Sequence, residues 1–273
     1  MNDIDIAAVL ETAKSAAYLG GEVLMRYLRD GVDMRNKSDS GGKTYDLVSD
    51  ADLESEQAIA KFLRDRHPGH ELLGEEALEG NPNAEDLWII DPLDGTNNYA
   101  HAVPQFAVSV AYYHQGVPIV GAVFNPARDE LFTAVCGGGA FHNGRPAQVS
   151  PATSLSECLI GCGFYYDRGE MMRSTLASIE ELFAGDIHGI RRFGAATLDL
   201  CMVGCGQLGG FFEYKLSPWD FAAGRLFAEE AGGRVSDASG NPLPIAQSSV
   251  VVSNGHLHDT LVAITTKNDP AKS

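Results

Sequence analysis

The chain has 273 residues, 44% of them hydrophobic and 21% charged, a composition that supports a sizeable core and excludes extensive disorder. Its formal net charge of −17 argues against a nucleic-acid partner, because affinity for polyanions rests largely on Lys and Arg. A phosphorylated small molecule would also be repelled unless bound cations reverse the local field, which is a first indication of a metal-dependent site.

The cysteines and the apolar runs bear on where the protein works. The five cysteines, the lack of a secretory signal pattern and the shortness of the apolar runs predict a cytoplasmic protein with free thiols and no membrane contact. Cys158/Cys162 and Cys201/Cys205 share a spacing that is wider than that of the usual structural zinc pairs. We interpret these cysteines as small buried hydrophobes.

The first half of the chain begins with a predicted amphipathic helix. Its apolar residues recur at helical steps, although Gly20-Gly21 weakens the pattern: Ile6, Leu10, Ala13, Ala17, Leu24 and Leu28. A polar loop at 38–43, between hairpin strands, and a second helix from near Ser49 to Arg66 are expected next. Short apolar runs separated by turns then predict strands and an antiparallel meander: 87–90, 106–113, 119–124, 130–135 and 140–142.

The second half alternates strand and helix patterns. Strands are predicted at 159–162, 190–193, 209–214 and 250–253, and helices at 170–183, 195–203, 218–231 and 256–266. We therefore expect a layered α/β (α+β) fold of alternating helix and sheet layers, with an antiparallel-rich first sheet and a mixed second sheet. Residues 1–150 should form an α+β lobe that carries most metal ligands, and residues 151–273 an α/β lobe that completes the site.

Three acidic clusters stand far apart in the sequence. They are Gly74-Glu75-Glu76, the segment Asp91-Pro92-Leu93-Asp94-Gly95-Thr96, and the segment Ser217-Pro218-Trp219-Asp220. The last of these segments also has the pattern of a helix N-cap, with proline at the first helical position. Asp220 could therefore have a purely structural role as a capping acid, or it could be a ligand.

The second cluster is the most informative. Asp91 and Asp94 end a buried apolar strand, where unpaired carboxylates are costly, and no Arg or Lys stands nearby in the sequence. Pro92 fixes the backbone between them and can aim both carboxylates and the Leu93 carbonyl at one point. Hard oxygen ligands of this kind suit magnesium.

These segments resemble the signatures of a known family. Residues 88–99 closely resemble the metal-binding signature of the inositol monophosphatases, Glu75 stands at the family's upstream spacing, and 219–224 resembles its second signature. The resemblance extends from Tyr45 to Gly255. It implies the sugar-phosphatase fold of the magnesium-dependent, lithium-sensitive superfamily that includes fructose 1,6-bisphosphatase.

The resemblance also implies a ligand set for two to three Mg²⁺ ions. Glu75, Asp91 and the Leu93 carbonyl would bind the first ion, and Asp91, Asp94 and Asp220 the second. A third, looser ion would involve Glu75.

The same resemblance implies catalytic and substrate-binding positions. Asp46 and Thr96 match the pair that orients and activates the attacking water beside Glu75. The implied substrate contacts are Asp94, Gly95, Thr96, Gly194, Ala195, Ala196, Glu213 and Asp220. Ala195 replaces the hydroxyl residue that many relatives carry, which leaves the fine substrate preference open.

The function expected from the resemblance is hydrolysis of a small phosphomonoester, above all myo-inositol monophosphate, by a homodimer. Histidinol phosphate or fructose 1,6-bisphosphate as substrate, and a non-catalytic binding protein of the same fold, are the alternatives. Asn97-Asn98-Tyr99 disfavours 3′-phosphoadenosine nucleotides, whose phosphatases typically carry Lys-Glu after Asp-Gly-Thr.

Overall fold

The structure is a computed structural model that describes residues 4–30, 34–36 and 47–272. Two 3₁₀ turns, Leu155–Glu157 and Pro270–Lys272, accompany the α-helices. The α-helices of the described residues are α1 (Ile6–Asp30), α2 (Asp50–Arg66), α3 (Thr96–Ala100), α4 (Glu170–Ala184), α5 (Ala196–Gly204), α6 (Pro218–Glu230) and α7 (His258–Lys267).

The first large sheet is almost wholly antiparallel. Its strands lie in the order of the sequence, with β3 parallel to β4 and every other pair antiparallel. A separate antiparallel hairpin joins β1 (Met34–Asn36) to β2 (Leu47–Ser49). The sheet strands are β3 (Glu71–Gly74), β4 (Asp86–Asp94), β5 (Ala107–His114), β6 (Val117–Asn125), β7 (Glu130–Val135), β8 (Gly139–His142) and β9 (Arg145–Pro146).

The second sheet is mixed, in the order β11-β10-β12-β14-β13. β10 pairs in parallel with β11 and β12, whereas β14 pairs antiparallel with β12 and β13. The strands are β10 (Leu159–Cys162), β11 (Gly189–Arg191), β12 (Gly210–Leu216), β13 (Arg234–Ser236) and β14 (Ser248–Ser253). An antiparallel-rich sheet followed by a mixed one is the predicted arrangement.

Side-chain alternation along the strands produces the predicted layers. Trp88 and Ile90 face α1 and α2, whereas Leu87 and Ile89 face α5 and α6 on the other side of β4. Alternate side chains of the second sheet likewise pack against helices on its two faces. Phe211 packs with α5 and α6, whereas Phe212 packs with α4 and α7. Helix pair, sheet, helix pair, sheet and helix pair thus follow one another, and α5 and α6 share their packing with both sheets.

Gly20 and Gly21 explain why α1 tolerates two poor helix formers. A Cβ at Gly20 would lie 2.8 Å from Ile59 of α2, and one at Gly21 would lie 2.8 Å from the ring of Phe124 on β6. The pair therefore allows α1 to approach both neighbours closely, which offsets its intrinsic cost in the helix.

The structure corrects several predicted bounds. The strand expected at 87–90 continues as β4 through Asp94, and the strand expected at 190–193 is β11, which ends at Arg191. β3, β9 and β13 were not predicted, because two to four residues are too few to show a period. The loop expected at 38–43 lies outside the described residues, and the division into lobes at residue 150 stays a prediction.

Cys158, Cys162 and Cys201 are buried, as interpreted, whereas Cys205 is only half-buried. Burial raises the pKa of Cys162 to about 12. In the described part of the chain, no helix combines the length and the apolar character needed to cross a membrane.

Candidate active site

One cavity of about 250 Å³ gathers most of the residues that the sequence singled out. Its walls come from both sheets and from the starts of α3, α5 and α6. The predicted residues that line it are Glu75, Asp91, Leu93, Asp94, Gly95, Thr96, Gly194, Ala196, Glu213 and Asp220.

β4 delivers its carboxylates through an irregular end. The register with β5 shifts between Asp91, which faces Ser109, and Asp94, which faces Ala107. One extra residue is therefore inserted on β4, at the point where Pro92 has no N–H to offer the ladder. Such bulges redirect side chains, and here both acids enter the cavity.

Asp91 is 1% exposed, and its two oxygens have different surroundings. Oδ1 accepts a hydrogen bond from the Leu93 N–H (2.9 Å), whereas the buried Oδ2 has no hydrogen-bond partner among the described residues. The Thr96 hydroxyl donates to the Leu93 carbonyl oxygen (3.1 Å). A buried carboxylate oxygen without a partner is costly, so this side of the cavity requires a donor or a cation.

Asp94 ties the first sheet to α5. The amide N–H groups of Ala196 and Thr197 donate to its two carboxylate oxygens at 3.2 and 2.8 Å. These amides belong to the first turn of α5, where N–H groups lack intrahelical partners and the helix dipole favours an anion. Asp94 is thus held in place by the backbone.

The loop that carries Glu75 is held by α2. The buried carboxylate of Glu56 accepts from the N–H groups of Glu76 (2.9 Å) and Ala77 (2.7 Å). The preceding residue, Ser55, donates its hydroxyl to the Pro92 carbonyl oxygen (3.1 Å). α2 therefore fixes two of the cavity's walls relative to each other.

Asp220 serves two purposes in the structure. Its Oδ2 accepts from the Ser217 N–H (2.6 Å) in a capping box, with Pro218 as the first residue of α6. The same carboxylate lines the cavity. The capping interpretation and the ligand interpretation are therefore compatible, because only one of its oxygens caps the helix.

The electrostatics of these acids call for a cation. Burial, together with the charges of Glu75, Asp94 and Asp220, raises the pKa of Asp91 well above its ordinary value. Burial and the charges of Glu75 and Asp94 likewise raise the pKa of Asp220. Burial raises the pKa of Asp94 to about 7, although the amides of α5 lower it. Each acid thus destabilises the ionised form of its neighbours, and a bound cation would reverse that effect.

The donor set fits an open metal site rather than a closed cage. Among the residues that the structure describes, no three Asp, Glu, His or Cys side chains form a metal-ligand group on their own. Magnesium takes one or two carboxylates per ion and completes its shell with water and substrate phosphate, so such a site does not need a cage. The unpaired Oδ2 of Asp91 is the observation that supports the fit.

Another part of the cavity lining carries both signs of charge. Glu213 of β12 and Asp199 of α5 face it together with the basic side chains of Arg192 and Lys215. Burial raises the pKa of Glu213 to about 8, against a lowering by Arg192. Aromatic side chains also line the cavity: Phe164, Tyr165, Tyr166 and Trp219.

A glycine makes room for Glu213. Gly163 follows β10 directly, and its N–H donates to the Phe212 carbonyl oxygen (3.1 Å). A Cβ at Gly163 would overlap the Glu213 carboxylate. The absence of a side chain at this position therefore decides where the Glu213 carboxylate lies.

Three predicted residues do not have the expected placement in the described structure. Ala195 does not line the cavity; it is fully buried, and its Cβ lies 3.1 Å from the position that a Cβ on Gly95 would occupy. The Ala196 N–H, expected to contact substrate, donates to Asp94. Asp46 lies outside the described residues. The roles of all these residues stay predictions.

Some residues that build the cavity were assigned no structural role from the sequence. Asn98 donates its amide to the carbonyl oxygens of Gln105 and Phe193, both at 2.7 Å, and so anchors the segment that precedes Gly194. Glu56 had no recognisable pattern. Asp199 did have one, because it is a lone acid in the otherwise apolar helix α5.

Oxygen donors gathered between two layered sheets are typical of enzymes that handle phosphate through divalent cations. The model of the inositol monophosphatase family matches residues 5–269. The chain belongs to the inositol monophosphatase family, a family of phosphomonoester hydrolases, as its signatures predict.

Relatives agree with this assignment along nearly the whole chain. An inositol-1-monophosphatase of Rhizobium meliloti is 39% identical over 97% of this chain and 99% of its own length. A protein of Neisseria meningitidis serogroup B named "putative Nus factor SuhB" is 41% identical over 90% and 93% of the two chains.

Solved structures share the fold. The inositol monophosphatase from Anabaena (Nostoc) sp. PCC 7120 is 38% identical, with a TM-score of 0.85 over 98% of this chain and 99% of its own. An IMPase/NADP phosphatase complexed with Mg²⁺ and phosphate is 28% identical, with a TM-score of 0.78 over 88% of each chain.

Proposed function

We propose that this protein hydrolyses a small polyol phosphomonoester, with myo-inositol monophosphate as the preferred substrate, at a magnesium site. The observation that carries the proposal is the convergence of Glu75, Asp91, Asp94 and Asp220 on one cavity, with Asp91 Oδ2 left unpaired. The relatives named inositol-1-monophosphatase support the choice of substrate.

Two to three magnesium ions would be held by these acids and the Leu93 carbonyl. When bound, magnesium neutralises phosphate charge and lowers the pKa of a coordinated water. The complex of Mg²⁺ and phosphate in the related IMPase/NADP phosphatase supports the metal, whereas the number of ions rests on the family resemblance alone.

The chain's own residues would orient the reactants. The Thr96 hydroxyl uses its hydrogen on the Leu93 carbonyl, so its oxygen is left to accept a hydrogen bond from the attacking water. Asp46 is proposed as the partner acceptor for that water. The Gly95 and Thr96 amides are proposed to face the phosphate, and Gly95 adopts a left-handed φ of 89° that favours glycine there.

The wall with Glu213 is proposed to hold the alcohol. A carboxylate that accepts from substrate hydroxyls gains charge-assisted hydrogen bonds, and water excluded from the cavity strengthens them. Gly194 and Ala196 line the same cavity and are proposed to contact the alcohol, although the Ala196 N–H donates to Asp94.

A non-catalytic binding protein is the competing proposal, and the relatives named Nus factor SuhB are its support. Hydrolysis is favoured because each carboxylate of the expected metal set is present and lines the cavity. We also propose a homodimer, which sedimentation would test, and a cytoplasmic location, which fractionation would test.

Phosphate release from a panel of phosphomonoesters separates these proposals. Inositol 1-phosphate should be hydrolysed with magnesium and left intact after exhaustive chelation, and magnesium should restore turnover. Histidinol phosphate and fructose 1,6-bisphosphate belong in the same panel. Full activity in chelator would contradict the metal site, and a better rate on histidinol phosphate would contradict the substrate.

A further inference from the structure

Asp199 is a buried acid of the cavity that the proposed chemistry leaves without a role. It lies in the first turn of α5, is 1% exposed and lines the same cavity as the metal acids. Its Oδ1 has no hydrogen-bond partner among the described residues. Such a group in a native interior needs an explanation, and a ligand that enters the cavity is the natural one.

The groups that face Asp199 define what that ligand is. Burial and the charges of Asp94 and Glu213 raise the pKa of the Asp199 carboxyl, against a lowering by Arg192, and all four side chains line the same cavity. Arg192 nevertheless acts on Asp199 and Glu213 only through its charge, without a hydrogen bond to either carboxylate. Its guanidinium lies against Gly194, since a Cβ there would meet an Arg192 nitrogen at 2.7 Å. Acceptors and donors thus face one cavity without saturating each other.

Mixed charge selects among leaving groups. Arg192 and Lys215 line the same cavity as the two acids, so both hydrogen-bond donors and acceptors are offered to the leaving alcohol. A simple alkyl group would leave both carboxylates unpaired, which costs more than it gains. A polyol hydroxyl can donate to a carboxylate and accept from the guanidinium at once.

We propose that Asp199, together with Glu213 and Arg192, binds the hydroxyls of the substrate's alcohol part and so selects polyol phosphates over alkyl phosphates. The inference rests on the proposed phosphatase function and names the specificity of the same site.

The test compares two substrates that differ only in hydroxyls. Inositol 1-phosphate and cyclohexyl phosphate share a six-membered ring, and the second lacks the groups that Asp199 would bind. Asp199→Asn should raise KM for inositol 1-phosphate about tenfold, as expected for the loss of one hydrogen bond to a substrate hydroxyl. Its kcat should stay within about twofold, and kcat/KM on cyclohexyl phosphate should not change.

The matched control is Asp259→Asn. Asp259 is likewise a first-turn helix acid, on α7, but it is exposed, pairs with Arg234 and lies outside the cavity. It reports the general effect of removing a helix-start charge. If Asp199→Asn folds poorly in thermal unfolding, Arg192→Met provides the second variant, with the same expected loss confined to the polyol substrate.

Each outcome decides between the inference and its rivals. An equal loss on both substrates, or no loss on either, would overturn the inference and make Asp199 a structural acid. If inositol 1-phosphate proves inert, the comparison uses the best polyol phosphate of the panel. If no polyol phosphate surpasses cyclohexyl phosphate, the inference fails, while magnesium-dependent release from cyclohexyl phosphate leaves the phosphatase proposal standing.

Discussion

The two ends of the cavity differ in how their buried charges are compensated. At the end built from β3, β4 and the start of α6, the lining side chains with charge are all acids, and backbone amides hold Asp91, Asp94 and Asp220. At the end built from β12, α5 and the segment before Gly194, two acids face two basic side chains. The first end needs a cation from outside, whereas the second carries its own.

This difference separates the chemistry from the choice of substrate. Acids fixed by the backbone hold a rigid arrangement, which suits ions that must be placed accurately for phosphoryl transfer. Unsaturated acids and bases side by side suit hydroxyls that donate and accept. Changes at the all-acid end should therefore act on kcat and on metal binding, and changes at the mixed end on KM.

The largest effect is expected from Asp91→Asn. The substitution keeps the shape but removes a charge from the proposed metal set, so kcat should fall at least about a thousandfold, or about 4 kcal/mol. Stability in chelator at pH 8 should not fall, because the change removes a buried charge that its neighbours repel. Steady-state phosphate release and thermal unfolding measure the two effects.

The control for Asp91→Asn is Glu85→Gln, an exposed residue just before the same strand that lies outside the cavity. It should retain both turnover and stability. Normal turnover by Asp91→Asn would rule out its proposed role.

A smaller effect is expected from Glu56→Gln, which acts on the all-acid end without lining it. The new side-chain amide nitrogen would face one of the two backbone N–H groups that donate to Glu56, so that hydrogen bond would be lost. The loop bearing Glu75 would then be held less firmly. The lost hydrogen bond should cost about 1–3 kcal/mol of stability, and the magnesium concentration for half-maximal activity should rise about tenfold. Calorimetric magnesium titration measures the affinity directly.

Glu54→Gln is its matched control. Glu54 lies on the same helix but pairs with Arg26 and Tyr27 on the outer side. An unchanged magnesium requirement in Glu56→Gln would show that α2 does not position Glu75.

Glu56 also shows where sequence reasoning ends. The acids of β4 and α6 were predictable because each ends a strand or starts a helix within a dense local pattern. Glu56 and Asn98 act on backbone groups 20 to 95 residues away, and no local pattern records such a contact. The sequence alone does not reveal a role for Arg192, because its partners come from α5 and β12, whose placement the sequence does not show.

Asp199 lies between these cases. A lone acid in an apolar helix was visible in the sequence, but which face of α5 meets the cavity depends on its position between two sheets. The layered fold was predictable from periodicity, whereas the meeting of its layers at one cavity required the structure.

At the mixed end, Glu213→Gln should change KM rather than kcat. The carboxylate is proposed to bind hydroxyls remote from the phosphorus, and losing that charge removes about 1.5–2 kcal/mol of binding. KM for inositol 1-phosphate should rise by about tenfold or more, whereas histidinol phosphate should be used poorly by both forms. Paired kinetics on the two substrates measure this.

Gly163→Ala sharpens the same test without touching the acid. Its new Cβ would displace the Glu213 carboxylate, so it should raise KM in the same direction. Unchanged kinetics in both variants, with histidinol phosphate the better substrate, would make the substrate assignment wrong while leaving the metal chemistry intact.

The smallest effect concerns the stability of the metal-free protein against pH. Burial raises the pKa of Glu213 from its ordinary value of 4.5 to about 8, so between these values the folded state binds more protons than the unfolded state. Stability should therefore fall as the pH rises through that window, and level off above it. Glu213→Gln removes one such group, so its decline in chelator should be shallower by about 1 kcal/mol per pH unit. Urea unfolding of both proteins between about pH 5.5 and 7.5, which lies within that window, measures the difference.

Magnesium binds only the folded state and should stabilise both proteins alike, because Glu213 lies at the mixed end. Parallel pH profiles for the two proteins in chelator would instead show that Arg192 already neutralises Glu213, and the contrast between the two ends would weaken accordingly.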